Sequence, residues 1–155
     1  MQGNIVDILA KEFFKKFSAF EFFLKEKGYV KGVSRGISEQ ASQIAVVDYK
    51  AFYEQYRNNE LTGNAKALLA NPPKQQVLID GCRLAWEDRG YEQSFKGAVE
   101  ALKQLRNNLF HGAKHVIGGE FEDNKRNSEL LRCGIRLLDD LEGMCNRDGL
   151  SLIHI

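Results

Sequence analysis

The sequence predicts an all-α protein, an antiparallel helical bundle carrying one small β-hairpin. Three observations lead there. Most of the chain places apolar residues three and four apart, the spacing of a single helix face. Glycine or proline follows several of these stretches, where helices have to end. Only one stretch alternates in the manner of paired strands, on either side of an Asp-Gly dipeptide. With 155 residues the chain reads as one domain over 1–149, followed by a frayed tail at 150–155.

The first helix is expected over about Asn4–Lys27. Ile5, Leu9, Phe13, Phe17, Phe20 and Leu24 form its stripe, with Phe14 and Phe23 widening it, and Gly28 ends it. Lysines fill the other faces. Such a helix can lie on a membrane surface, but the apolar segments that follow make it the first core helix of a bundle. Residues 28–36 read as a flexible turn, since their glycines lack the G-K-[ST] ending of a phosphate loop. Ser38 then caps a second helix running to about Arg57, with Ala41, Ile44, Ala45, Tyr49, Phe52 and Tyr56 on its stripe. Asp48 beside that stripe is read as a rim carboxylate paired with a base rather than as a catalytic acid. A short helix over Asn64–Ala70 stops at Pro72-Pro73, because proline disfavours helical geometry in the residue before it.

Gln76–Ile79 and Cys82–Trp86 flank Asp80-Gly81, which suits a tight hairpin turn. An isolated hairpin is marginal, so this one is expected to pack on the bundle through Val77, Ile79, Leu84 or Trp86. Trp86 is read as a core cover, with stacking on a nucleobase as the other use of an indole. A fourth helix runs from about Gln93 to His111 on Phe95, Val99, Leu102, Leu105 and Leu109, and Gly112 terminates it. A loop holding His115, Gly118, Gly119, Glu120, Glu122 and Asp123 follows. The last helix, about Asn124–Asn146, buries Leu130, Leu131, Ile135, Leu138, Leu141 and Met144.

Lysine and arginine total 22 against 21 acidic residues, a net charge of +1, so any nucleic-acid contact has to come from a local patch. Cys82, Cys133 and Cys145 are odd in number and far apart, which supports neither a disulfide framework nor a zinc knuckle and fits a reducing cytoplasm. No leader pattern and no membrane-length apolar run is present, so a soluble, cytoplasmic protein without membrane association is expected.

The chemistry concentrates in Arg106-Asn107-Asn108-Leu109-Phe110-His111. Arginine offers a fork of donors that matches phosphate, and histidine titrates near neutrality. On a regular helix, however, Arg106 and His111 lie about 140° apart. They converge on one substrate only if the helix end distorts or a second chain completes the site. The hexapeptide resembles the R-x4-6-H motif of HEPN domains, an all-α family that includes many ribonuclease toxins. Asn107 meets that pattern's requirement for a polar residue after the arginine. The long Phe-rich helix before the motif and the amphipathic helix after it extend the resemblance over most of the chain.

The resemblance implies a metal-independent endoribonuclease, built as a homodimer with both motif copies at its interface, in a toxin–antitoxin or phage-defence setting. Arg106 would hold the scissile phosphate, His111 would move protons, and Asn107 would assist. Arg106 and His111 are expected to face solvent at a groove. Asn108, Lys114 and His115 are assigned to RNA contact. Some HEPN toxins carry a modifiable tyrosine two residues after the motif histidine. Ala113 stands there, which argues against that form of regulation, although an antitoxin partner stays possible. His111 and His115 make an H-x3-H pair, but Gly112 interrupts the helix a metal pair needs, so no metal and no cofactor is expected. The rival readings are a non-catalytic HEPN module that binds RNA, a nucleotide or a protein partner, and a plain helical interaction protein.

Overall fold

The computed structural model describes residues 2–34, 36, 42–110 and 120–147. In chain order its elements are α1 (Gln2–Glu26), β1 (Val30–Val33), β2 (Ile44–Val47), α2 (Tyr49–Tyr56), α3 (Gly63–Ala70), β3 (Gln75–Ile79), β4 (Arg83–Glu87), α4 (Phe95–Phe110) and α5 (Glu120–Arg147). The architecture is therefore mixed α/β, and the all-α expectation is corrected. Two separate antiparallel hairpins accompany the helices, β1 with β2 and β3 with β4. The tail at 150–155 lies outside the described residues.

The unforeseen hairpin replaces the first half of the helix expected from Ser38 to Arg57. Ile44-Ala45-Val46-Val47 pairs with Val30–Val33, in register from Val30↔Val47 to Val33↔Ile44. Three of these four residues of β2 are β-branched, stiff at χ1 and better suited to a pleated surface than to a helix. Ala45, Tyr49 and Phe52 mimic a helical stripe only because a strand runs directly into a helix there. Ile44 is accordingly half exposed, whereas Phe52 and Tyr56 are buried. Ser38 lies outside the described residues. Asp48 caps α2 instead, its carboxylate accepting the Ala51 amide at 3.2 Å. Among the described residues no lysine or arginine pairs with it, and the capping bond is the role this geometry gives it.

The turn that makes β1 possible ends α1. Gly28 adopts φ +99°, its amide donates to Lys25 O at 3.0 Å, and the Tyr29 amide donates to Leu24 O at 2.9 Å. This pair of bonds reverses the chain at a left-handed residue, for which glycine carries no steric cost. Tyr29 O then accepts the Asp48 amide at 2.9 Å, tying the hairpin to the start of α2.

Between the helices the core is rich in aromatic rings. Phe52 meets Phe20, Tyr29, Tyr53, Tyr56 and Phe95 at centroid separations of 5.1–6.3 Å. These edge-on and tilted contacts are the geometry that ring quadrupoles favour. α1 lies along α5, with Val6, Ala10, Phe13, Phe17, Phe20 and Leu24 inward. Ile5 is 45% exposed, so the stripe begins one residue later than the spacing suggested. α5 starts at Glu120 and takes in the acidic residues that were expected in a loop. Its Gly134 permits close approach, since a Cβ there would stand 2.8 Å from Phe13 and 3.0 Å from Leu105.

The expected hairpin forms, with a longer turn than expected. Asp80 (φ 54°) and Gly81 (φ 74°) are both left-handed, and the Cys82 amide donates to Ile79 O at 3.1 Å. Ile79 pairs with Arg83, so three residues cross between the strands. Val77, Ile79, Ala85 and Trp86 are half-buried, while Leu84 turns outward beside Leu78.

Candidate functional site

Helical spacing turns one flank of α4 toward α1, and Arg106 is the centre of that contact. Its NH1 donates to Glu21 Oε2 at 3.1 Å, and its Nε and NH2 both donate to Asn107 Oδ1, at 3.3 and 3.1 Å. The guanidinium also stands 4.8 Å over the Phe17 ring. Arg106 is thus held between a carboxylate, an amide and an aromatic face, with a quarter of its side chain exposed. Arg106 was expected to face solvent at a groove, and a quarter of its side chain does, while Glu21 and Phe17 of α1 cover much of the rest. An arginine has five N–H donors, and three are committed. Among the described residues one donor on each terminal nitrogen is left over, the pair that suits two oxygens of a phosphate.

Glu21 is the residue that sequence reasoning missed. Its Oε2 also accepts the Tyr49 hydroxyl at 2.7 Å, so one oxygen joins α1, α2 and α4. Burial, reinforced by the neighbouring carboxylate, pushes the Tyr49 phenol well above its usual range. Lys103, one turn before Arg106, places its ammonium 4.2 Å from the Tyr49 ring. Burial lowers the Lys103 pKa, opposed by Glu100 and assisted by the Arg106 charge. Glu21 carries no local signal, being one acid at the edge of an apolar helix face. Only the packing of α1 on α4 gives it a role.

Comparison with protein-family models, with curated proteins and with solved structures returned no match for this chain.

Of the residues singled out in the sequence, Arg106, Asn107 and Asn108 stand together on the last turns of α4. His111, Lys114 and His115 lie outside the described residues, as do Gly112 and Ala113. Phe110, the last described residue before His111, is 73% exposed and meets Phe14 edge-on at 5.7 Å. Asn108 has a scaffolding role rather than a free one. Its Oδ1 accepts from Gln104 Nε2 at 2.8 Å and its Nδ2 donates to Lys74 O at 2.8 Å, which pins the start of β3 to α4. Gln104, buried in α4, accepts in turn from Arg89 at 2.7 Å.

This pinning brings the β3–β4 hairpin beside the motif. Gln75, Gln76, Trp86, Gln104, Asn107 and Asn108 line a recess of about 220 Å³. Trp86 is half-buried at its edge, where it is both a partial cover of the bundle and an exposed aromatic surface.

Proposed function

We propose that the chain is a metal-independent endoribonuclease of the HEPN kind, cleaving RNA by attack of a 2′-hydroxyl on the adjacent phosphorus. The observation that carries this reading is the state of Arg106. Stacking on Phe17 and bonds to Glu21 and Asn107 fix its guanidinium in advance, while two of its donors have no partner among the described residues. A donor pair oriented before substrate arrives loses little freedom when charge develops on the phosphoryl oxygens. Asn107 acts by positioning the guanidinium. His111 is proposed to accept the 2′ proton, and a second His111 to protonate the 5′ oxygen, because one imidazole cannot do both in a single step.

That division of labour asks for a homodimer, and the exposed Phe110 ring beside the motif supplies apolar surface for a second copy to cover. A toxin–antitoxin or phage-defence role in the cytoplasm, with an antitoxin as partner, remains part of the proposal on the strength of the motif's resemblance alone. No described helix is long and apolar enough to cross a membrane.

The Glu21 ion pair favours a second reading. It neutralises part of the arginine's charge, which suits a module that binds RNA, a nucleotide or a protein partner without cutting. Incubating the purified protein with mixed RNA, with and without a chelator, separates the two. Cleavage that survives chelation and leaves 2′,3′-cyclic phosphate and 5′-hydroxyl ends supports the nuclease. Binding without cleavage supports the module. 5′-phosphate ends, or DNA cut as readily as RNA, exclude the proposed mechanism.

A further inference from the structure

We propose that the recess between the β3–β4 hairpin and the end of α4 is a subsite for one unpaired nucleobase, stacked on Trp86 and read at its edge by side-chain amides. The inference rests on the RNA reading above and adds a specificity element to it.

The lining divides into a fixed part and a free part. Gln104 and Asn108 spend their amides on each other, on Arg89 and on Lys74 O. They form a floor that cannot swing away. Gln75 and Gln76 make no side-chain hydrogen bond among the described residues, nor does the Trp86 indole nitrogen. Among the described residues Asn107 has only its oxygen engaged, by Arg106, and its amide donors have no partner there. Carboxamides without partners beside a half-exposed indole match a nucleobase in both respects. The ring offers a π-face to stack, and its edge offers donors and acceptors side by side.

Trp86 lies across from Gln76 in the hairpin register, so both project from the same face. That face continues through the Leu78–Leu84 pair, 58% and 65% exposed, which gives a neighbouring base further apolar surface. The distance to the chemistry is short by construction. Asn107 lines the recess and holds Arg106 at once, so a base seated here belongs to a nucleotide next to the phosphate on Arg106.

Trp86 is the one tryptophan in the chain, so its fluorescence reports on this recess alone. The test titrates the protein with a short unstructured oligoribonucleotide and with an abasic counterpart of equal length and charge, following tryptophan emission and the anisotropy of a label on the RNA. Saturable quenching by the first and not by the second is expected. Replacing Trp86 with Leu should weaken binding of the base-containing strand about tenfold, within the range of one stacked base, and leave the abasic strand unaffected. Gln76→Ala, on an exposed strand position, is the companion variant and is expected to weaken the same binding severalfold without affecting folding. RNA bound with unchanged emission and equal affinity for both strands overturns the subsite and leaves the nuclease reading standing. No binding of either strand overturns both. Quenching by proteins but not by RNA shows a protein-docking face and overturns the subsite.

Discussion

Arg106 shows how one side chain can serve both the fold and the chemistry. Replacing it with alanine leaves Glu21 half-buried with Tyr49 as its one remaining partner among the described residues, and uncovers Phe17. The cost should be about 1–2 kcal/mol, allowing for solvent at a quarter exposure. RNA cleavage should fall far more than this, by about a hundredfold or more. Arg106→Lys should retain most of the stability and little of the activity, since an ammonium cannot hold Asn107, Glu21 and a phosphate together. Melting curves run beside initial cleavage rates decide it: activity falling only in proportion to stability makes the residue structural. Tyr49 supplies a pH test. Its pKa is raised in the folded state, so its contribution is complete below pH 10 or so, the value of an unfolded tyrosine. Above that the unfolded chain ionises while the folded one holds its proton, and stability falls as pH rises. Tyr49→Phe should flatten this alkaline decline in denaturant midpoints; an identical decline in the variant refutes the assignment.

Helices in this protein are held by their packed apolar faces, which need close approach at particular points. Gly134 on α5 is one, pressed by Phe13 from α1 and Leu105 from α4. Gly134→Val must push two core side chains aside and should cost about 1–3 kcal/mol, the usual range for overpacking. It is expected to lower the melting temperature by several degrees while the far-ultraviolet spectrum keeps its helical form; an unchanged midpoint means that α5 packs differently. The hairpins depend on neighbours in the same way. Two strands alone are marginal. The β3–β4 unit gains its position from Asn108 and Lys74, and the β1–β2 unit from the hydrogen bond between Tyr29 and Asp48.

At the scale of the molecule the proposed mechanism divides its two proton transfers between two chains. If the two proton carriers are the His111 side chains of a dimer, a single damaged copy disables the shared centre. A purified heterodimer of wild-type and His111→Ala chains should then show far less than half the wild-type rate, because losing either proton role removes a factor of about 10²–10⁴. A heterodimer that keeps half the rate sinks the shared site and requires a second proton carrier within each chain. Asp48 is a poor replacement, being occupied as the cap of α2.

Much of this protein could be read from its sequence because the signals are local. Gly28 and Pro72-Pro73 end helices by backbone sterics, Asp80-Gly81 bends a hairpin, and the stripes of α1, α4 and α5 announce which face is buried. The motif Arg106-Asn107-Asn108 was equally visible, since its spacing and residue types lie within two turns of one helix. Other features depended on residues far apart in the chain. β2 read as helix because Ala45, Tyr49 and Phe52 keep a helical step, and only pairing with β1 makes Ile44–Val47 a strand. The partner of Arg106 is Glu21, 85 positions away, and no local pattern joins them. Trp86 shares a recess with Asn107, beside the bond by which Asn108 holds the Lys74 carbonyl. Local sterics and periodicity are written in neighbouring residues, but which side chains share a recess is decided by packing over the whole chain.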